Sequence, residues 1–167
     1  MLHDFKKTTA LLVALGGMIV GGGVGAADAG SVPEGVTAYE VSAAFEDVRF
    51  DLENAIVNRG LVIDYVSHIG TMLDRTAADV GSDKKIFENA EAMLFCSADL
   101  SRKAMEADPA NIAYCPYTVF VYETPGKPGQ VTVGFRNLSE TGSEASKTAI
   151  AEVNKLLDGI AKEAAGE

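Results

Sequence analysis

Two cysteines and one interior histidine are the residues of this chain best suited to chemistry by type and spacing. Cys96 and Cys115 both fall in AMLFCSADLSRKAMEADPANIAYCPYTVFVY, residues 92–122. A thiol pair has three chemical outlets: a disulfide, thiol–disulfide exchange, or ligation of a soft metal. Cys96 stands just ahead of an expected helix start, where unpaired N–H groups and the helix dipole favour a thiolate. Cys115 is followed by Pro116, which lacks a backbone donor and fixes the turn into the next strand. His68 and Met72, at a strand-to-helix corner, are further soft donors. Two sulfurs and an imidazole suit copper, zinc or a haem iron. Plainer readings stand beside these: Met72 as core filler and His68 as a strand-end histidine bonded to backbone.

The elements that must position these groups follow from periodicity and turn chemistry. Gly35 to Val41 alternates and reads as a first strand. Ser42 is the expected N-cap of a helix carrying Phe45, Val48, Leu52, Ala55 and Ile56, stopped at Asn58-Arg59-Gly60. Leu61 to Ile69 is rich in β-branched residues and reads as a second strand, broken by Gly70. Thr71 to Val80 reads as a short helix stopped by Gly81. Lys84 to Glu91 is ambiguous, and Ala92 to Cys96 is a strand by composition. Ser97 or Asp99 caps a helix to about Ala107, which Asp108-Pro109 closes. Tyr117 to Glu123 is the most β-prone segment; with the loop 124–129 and Gln130 to Arg136 it makes a hairpin. On the helix expected over 144–165, Ile150, Val153, Leu156, Leu157 and Ile160 form one apolar stripe.

The order is therefore β-α-β-α-β-α-β-β-α. The predicted fold class is α+β, a mainly antiparallel sheet packed with helices in a single domain. The expected layout is a signal peptide over 1–27, a flexible lead-in over 28–34, an α+β core over 35–136, and a linker with a C-terminal amphipathic helix over 137–167.

Whether the cysteines meet depends on that sheet. A bridge requires Cα atoms roughly 4.4–6.8 Å apart. If the strands around them were adjacent and parallel, the sulfurs would sit at opposite ends, ~15–20 Å apart. They meet if the strands are antiparallel, or if the loop over 108–114 returns the chain to the same edge. A disulfide, a pair of free thiols or ligands, and two unrelated buried cysteines all stay open on these grounds. The expectation carried forward is that Cys96, Cys115 and His68 converge on one pocket at a single end of the sheet.

Several site classes have no counterpart in the sequence. There is no GxGxxG loop, P-loop, GxSxG elbow or CxxC pair. The abundant carboxylates mostly accompany basic neighbours on helices and read as a solvated face. The N-terminus supplies a compartment instead. Lys6 and Lys7 precede an uncharged apolar run from Ala10 to Val24, and small residues follow, with cleavage expected between Ala26 and Ala29. Glycines interrupt the run, and it is shorter than the ~20 residues of a spanning helix. The expected location is the periplasm, with no stable membrane insertion after cleavage. The whole chain has 24 acidic and 14 basic side chains; loss of Asp4, Lys6 and Lys7 leaves 23 and 12, a net charge of −11. Such a surface argues against nucleic-acid partners, whose phosphates require a basic stripe.

Two segments also carry a family likeness. NAEAMLFCSADLSRKAMEADPANIAYCPYTVFVYE, with the upstream GLVIDYVSHIGTMLDRT, resembles exported members of the domain-of-unknown-function 302 family over roughly residues 35–136. The likeness rests on Phe95-Cys96-Ser97 after a strand, the Ala107-Asp108-Pro109 turn, and Cys115-Pro116 ahead of a β-rich strand. Many relatives have Cys-Asn-Pro where this chain has Cys96-Ser97-Ala98, and Leu-Pro-Cys where it has Tyr114-Cys115-Pro116. The resemblance implies a compact α+β domain, often a homodimer, frequently near sulfur or respiratory metabolism, and no established reaction. The expected function is a periplasmic binding or accessory module with a Cys/His soft-ligand site, leaning away from a stand-alone enzyme. Two alternatives accompany it. One is a thiol-dependent redox or sulfur-transfer protein with Cys96 as nucleophile and Cys115 as resolving group, working with a periplasmic redox or sulfur-metabolism partner. The other is a structural subunit with a disulfide. A homodimer is expected to cover an edge strand and to use the terminal helix across a two-fold.

Overall fold

The computed structural model describes residues 32–167. The expected signal peptide and the first part of the lead-in lie outside the described residues. Five strands are β1 (Val36–Ser42), β2 (Val62–Ser67), β3 (Asn89–Cys96), β4 (Tyr117–Glu123) and β5 (Gln130–Arg136). Four helices are α1 (Phe45–Val57), α2 (Ile69–Thr76), α3 (Ala98–Ala107) and α4 (Glu144–Ala164), with short 3-10 turns at Ala78–Val80 and Pro109–Tyr114. The strands form one sheet in the order β1-β5-β4-β3-β2, and every neighbouring pair is antiparallel. The fold is α+β. Among the described residues no helix is long and apolar enough to cross a membrane.

Strand alternation decides which side chains are hidden. Successive residues of a strand point to opposite faces, and the register aligns Phe135, Val119 and Met93 in one row across β5, β4 and β3. All three are buried. α1 and α4 cover this face with Val48, Leu52 and Ile56 from one helix and Val153, Leu157 and Ile160 from the other. Each fully buried side chain of this size contributes roughly 1.5–3 kcal/mol by leaving water. The stripe on α4 is thus part of the same core as the sheet. α4 turns this stripe onto its own sheet. Leu156, at its margin, is only partly buried.

The opposite face carries Ala38, Gly134, Phe120 and Leu94. Gly134 is required there by close approach: a Cβ on it would lie 2.5 Å from the Thr37 carbonyl oxygen and 2.8 Å from Cζ of Phe120. Phe120 therefore lies across Gly134, and its ring stacks on Tyr122 at 6.0 Å. Tyr122 in turn meets Phe87 at 5.4 Å. α2 covers the far end of this face through Gly70, whose own Cβ would come within 3.0 Å of the Ala90 amide nitrogen.

Three local expectations are corrected by pairing. Ser42 is the last residue of β1, held opposite Gln130, while Ala44 occupies the cap position of α1 without a side-chain cap. Gly70 lies inside α2 rather than ending a strand, because helix and β3 approach too closely for a side chain. β3 starts at Asn89, inside the ambiguous stretch, because β4 pairs with it as far as Glu123. Glu123 is buried, yet it accepts from the Gly129 amide at 2.6 Å and from the Asn89 carboxamide at 3.1 Å. That satisfies the carboxylate and pins the β4–β5 hairpin.

Edge strand β1 is tied to α4 by polar contacts. The Tyr39 hydroxyl donates to Asp158, and Lys162 donates to the same carboxylate at 2.8 Å. The hydrogen bond from Lys162, followed by that from Tyr39, holds the Asp158 carboxyl below its ordinary value. A depressed carboxyl stabilises the fold above its unfolded value, and that contribution is lost as pH falls through the folded one. Asp158→Asn is therefore expected to flatten the loss of stability on acidification below about pH 4, read from urea midpoints across pH. Parallel midpoints for both proteins would refute the assignment. Gly134→Ala is expected to cost about 1–3 kcal/mol through overpacking, seen as a lower urea midpoint at unchanged slope.

Candidate functional site

Cys96 is the last residue of β3, and Cys115 lies two residues ahead of β4. The antiparallel register places Phe95 opposite Tyr117, so the next residues outward approach across the same sheet end. A compact return makes this possible. Ser97 caps α3 by accepting from the Leu100 amide, and Asp108 caps the following 3-10 turn by accepting from Ala110 at 2.9 Å. Buried Asn111 then donates to the Ala104 carbonyl at 2.8 Å and to the Ser146 hydroxyl at 2.9 Å. These bonds fix the turn against α3 and α4. The Cα atoms of Cys96 and Cys115 are 6.4 Å apart, and their sulfurs are joined in a disulfide closing a separation of 19 residues. Of the three readings the sequence left open, the bridged one is present.

The bridge has polar company. The Ser101 hydroxyl lies 3.7 Å from the Cys115 sulfur and 3.1 Å from the Tyr117 hydroxyl. Burial pushes the Tyr117 phenol above its ordinary value, with the Ser101 hydrogen bond acting the other way. Both cysteines are half-buried. The site is closed but not sealed.

His68 does not join them. β2 runs antiparallel to β3, with Val62 opposite Cys96 and Ser67 opposite Ala92. His68 follows Ser67 and so belongs to the other end of the sheet, about five residues or ~16 Å along β3 from Cys96 at 3.3 Å per residue. Its Nδ1 lies 2.8 Å from Oε1 of Glu91, whose Oε2 accepts from Nε of Arg49 at 2.9 Å. The histidine is thus bonded to a side chain rather than to backbone, in a chain that links α1, β3 and α2. Met72, on α2, is 43% exposed and is not core filler. Expected convergence of Cys96, Cys115 and His68 on one pocket is therefore not formed, because the two strand ends in question point in opposite directions. Among the described residues, no group of three or more His, Cys, Asp or Glu side chains is arranged to hold a metal ion.

What adjoins the disulfide is a cleft of about 510 Å³. Pro116 and Tyr114 form one wall, and Leu138 and its neighbours the other. Phe120, Thr118, Val36 and Arg136 contribute from the strand ends. Both walls are fixed. Asn154 of α4 accepts from the Leu138 amide at 2.8 Å and donates to the Leu138 carbonyl at 2.9 Å. The Tyr114 hydroxyl donates to the Ser139 carbonyl at 3.2 Å, linking one wall to the other. Nothing local in the sequence marks these residues as neighbours, since they come from β1, β4, β5 and two connections. A larger hollow of about 610 Å³ between α3 and α4 is lined by Lys103, Glu106, Glu144 and Glu152. There Lys103 already holds Glu152 at 3.1 Å, and the hollow reads as a solvated charged surface.

Opening the bridge should release the wall formed by Tyr114 and Pro116. Replacing both cysteines by serine is expected to cost about 3 kcal/mol, the chain-entropy value for a loop of this order. Urea unfolding measures it. Wild type under reducing conditions should match the variant, and an unchanged midpoint in either would contradict the structural weight given to the bridge.

The comparisons with known proteins agree with this fold. No curated protein matches the chain. The crystal structure of an uncharacterized conserved DUF302 protein from Bacillus stearothermophilus is similar, with a TM-score of 0.65 at 14% identity. The match covers 79% of this chain and 99% of that one, and at this identity it establishes a shared fold. The family profile described as domain of unknown function DUF302 matches residues 37–164, a span that runs from β1 through α4 rather than stopping at the hairpin. On that match, the chain belongs to the DUF302 family.

Proposed function

We propose that this protein is an exported, periplasmic binding or accessory module, in which the Cys96–Cys115 disulfide holds one wall of a ligand cleft. The observation that carries the reading is the seating of Pro116, next to bridged Cys115, in the wall of the cleft. The cleft's volume falls within the range of small-molecule sites, and its lining mixes apolar side chains with Thr118, Asn137, Ser139 and Arg136. The leader-like N-terminus supports export, and a bridged cysteine pair suits an oxidising compartment. Homodimerisation belongs to the same proposal: edge strand β2 leaves Val62 and Tyr65 largely exposed, and such an edge invites pairing.

A second reading is favoured by the hydroxyls around the bridge. Once a dithiol reductant has opened the bridge by exchange and left as its own disulfide, the Cys96 thiolate attacks a substrate disulfide and forms a mixed disulfide. Cys115 then attacks Cys96, forming the intramolecular bond and releasing the substrate as a dithiol. Two electrons pass from the cysteine pair to the substrate, and Ser101 is placed to donate to the Cys115 sulfur. An association with sulfur or respiratory metabolism belongs to this second reading.

One preparation tests both readings. Protein expressed from the full chain is expected in the periplasmic fraction, cleaved between Ala26 and Ala29, with a mass two hydrogens below the reduced form. Sedimentation of the same sample should show a dimer. After reduction, iodoacetamide is expected to label Cys96 no faster than a free cysteine peptide below about pH 8. Rapid labelling well below that pH, or turnover of thiol, disulfide or thiosulfate substrates, would overturn the binding-module reading in favour of redox chemistry.

A further inference from the structure

We infer that the cleft beside Pro116 takes a small amphipathic anion, its apolar body against Phe120 and Leu138 and its carboxylate or sulfonate on Arg136. This rests on the binding-module reading and adds to it the chemical class of the ligand.

Charge is the first observation. The chain carries 24 acidic and 14 basic side chains, and its bases are commonly engaged: Arg49, Arg59, Lys103 and Lys162 each hold a carboxylate. Among the described residues Arg75, Lys84, Lys127, Arg136 and Lys155 are not so engaged, and of these Arg136 is the one that lines the cleft. It is exposed, and among the described residues it has no ion-pair or side-chain hydrogen-bond partner. No residue lining the cleft is acidic. A guanidinium with no acidic partner, in a cleft that mixes apolar and neutral polar side chains and holds no carboxylate, is complementary to an anion.

Adjacent chemistry supports the same head group. Asn137 follows Arg136, and its Oδ1 accepts from the Thr37 hydroxyl at 2.9 Å. That leaves the carboxamide N–H groups without a protein acceptor among the described residues. A carboxylate or sulfonate offers two oxygens to the fork of a guanidinium. The apolar side is equally defined, because Phe120 lies over Gly134 with its ring stacked on Tyr122. An aromatic or branched body would meet a flat ring on the floor and Leu138 on the wall. The clamps from Asn154 and Tyr114 hold the walls before any ligand arrives, which lowers the ordering cost of binding.

Two fluorescent probes with one apolar body separate the charge from the surface. Anilinonaphthalene sulfonate carries the anion, and N-phenylnaphthylamine is its neutral counterpart. The disulfide-intact protein is expected to bind the sulfonate saturably at one site and more tightly than the neutral probe. Arg136→Gln should weaken the sulfonate on the order of tenfold, the effect of one charge-assisted contact, and leave the neutral probe unchanged. Phe120→Leu should weaken both, with thermal unfolding of each variant showing that the fold is kept. If both probes bind equally and Arg136→Gln alters neither, the anion class is wrong while the binding-module reading stands. If neither probe binds saturably, both readings fall together.

Discussion

One face of a five-stranded sheet must be hidden from water, and the rest of the structure depends on how α1 and α4 hide it. Apolar area removed from water is the main favourable term in folding. The row of Met93, Val119 and Phe135 crosses three central strands, so no single strand can slip by one residue without turning its apolar set outward. The register is therefore over-determined from both helices. α4 has a larger role than a C-terminal appendage. It closes the core with Val153, Leu157 and Ile160, and through Asn154 it also fixes the connection that forms a cleft wall.

The disulfide is a consequence of that register. Antiparallel pairing brings the end of β3 beside the start of β4, and α3 with its 3-10 turn returns the chain across the gap. Asn111 holds the return from inside, through bonds to Ala104 and Ser146. The same register separates His68 from the sulfurs. β2 ends where β3 begins, and the histidine is recruited instead into a chain with Glu91 and Arg49. That chain ties the start of α2 to α1 through Glu91 of β3, and it gives the exposed histidine a side-chain partner.

Charge gives the two ends of the sheet different characters. At the His68 end, acid and base are matched across elements. At the disulfide end, apolar and aromatic side chains surround Arg136 with no carboxylate among the cleft residues. In a chain of net charge −10, the second arrangement is the unusual one. Its geometry is supplied by neighbours that never touch a ligand: Gly134 makes room for Phe120, and Asn154 immobilises Leu138.

Much of the secondary structure was determined locally. The β-prone composition of Tyr117–Glu123 and the hairpin loop after it placed both strands at their observed bounds, and the spacing of Ile150, Val153, Leu156, Leu157 and Ile160 placed the stripe of α4, of which all but Leu156 are buried. Periodicity carries this information because a helix or strand repeats its buried side at a fixed interval. Cysteine positions marked one end of the site for the same local reason, lying at strand boundaries. Tertiary structure decided the remainder. Ser42 had the chemistry of a cap, but pairing with Gln130 kept it in the sheet. Gly70 looked like a strand breaker, but contact with Ala90 made it a helix residue. His68 and Cys96 were both correctly seen to lie where a strand gives way to a helix. Only the antiparallel pairing of β2 and β3 put those two positions at opposite ends of the sheet. The cleft was invisible for the same reason. Val36, Pro116, Phe120, Arg136 and Leu138 share no local period, and they become neighbours only through strand order and register, which depend on contacts between residues far apart in the chain.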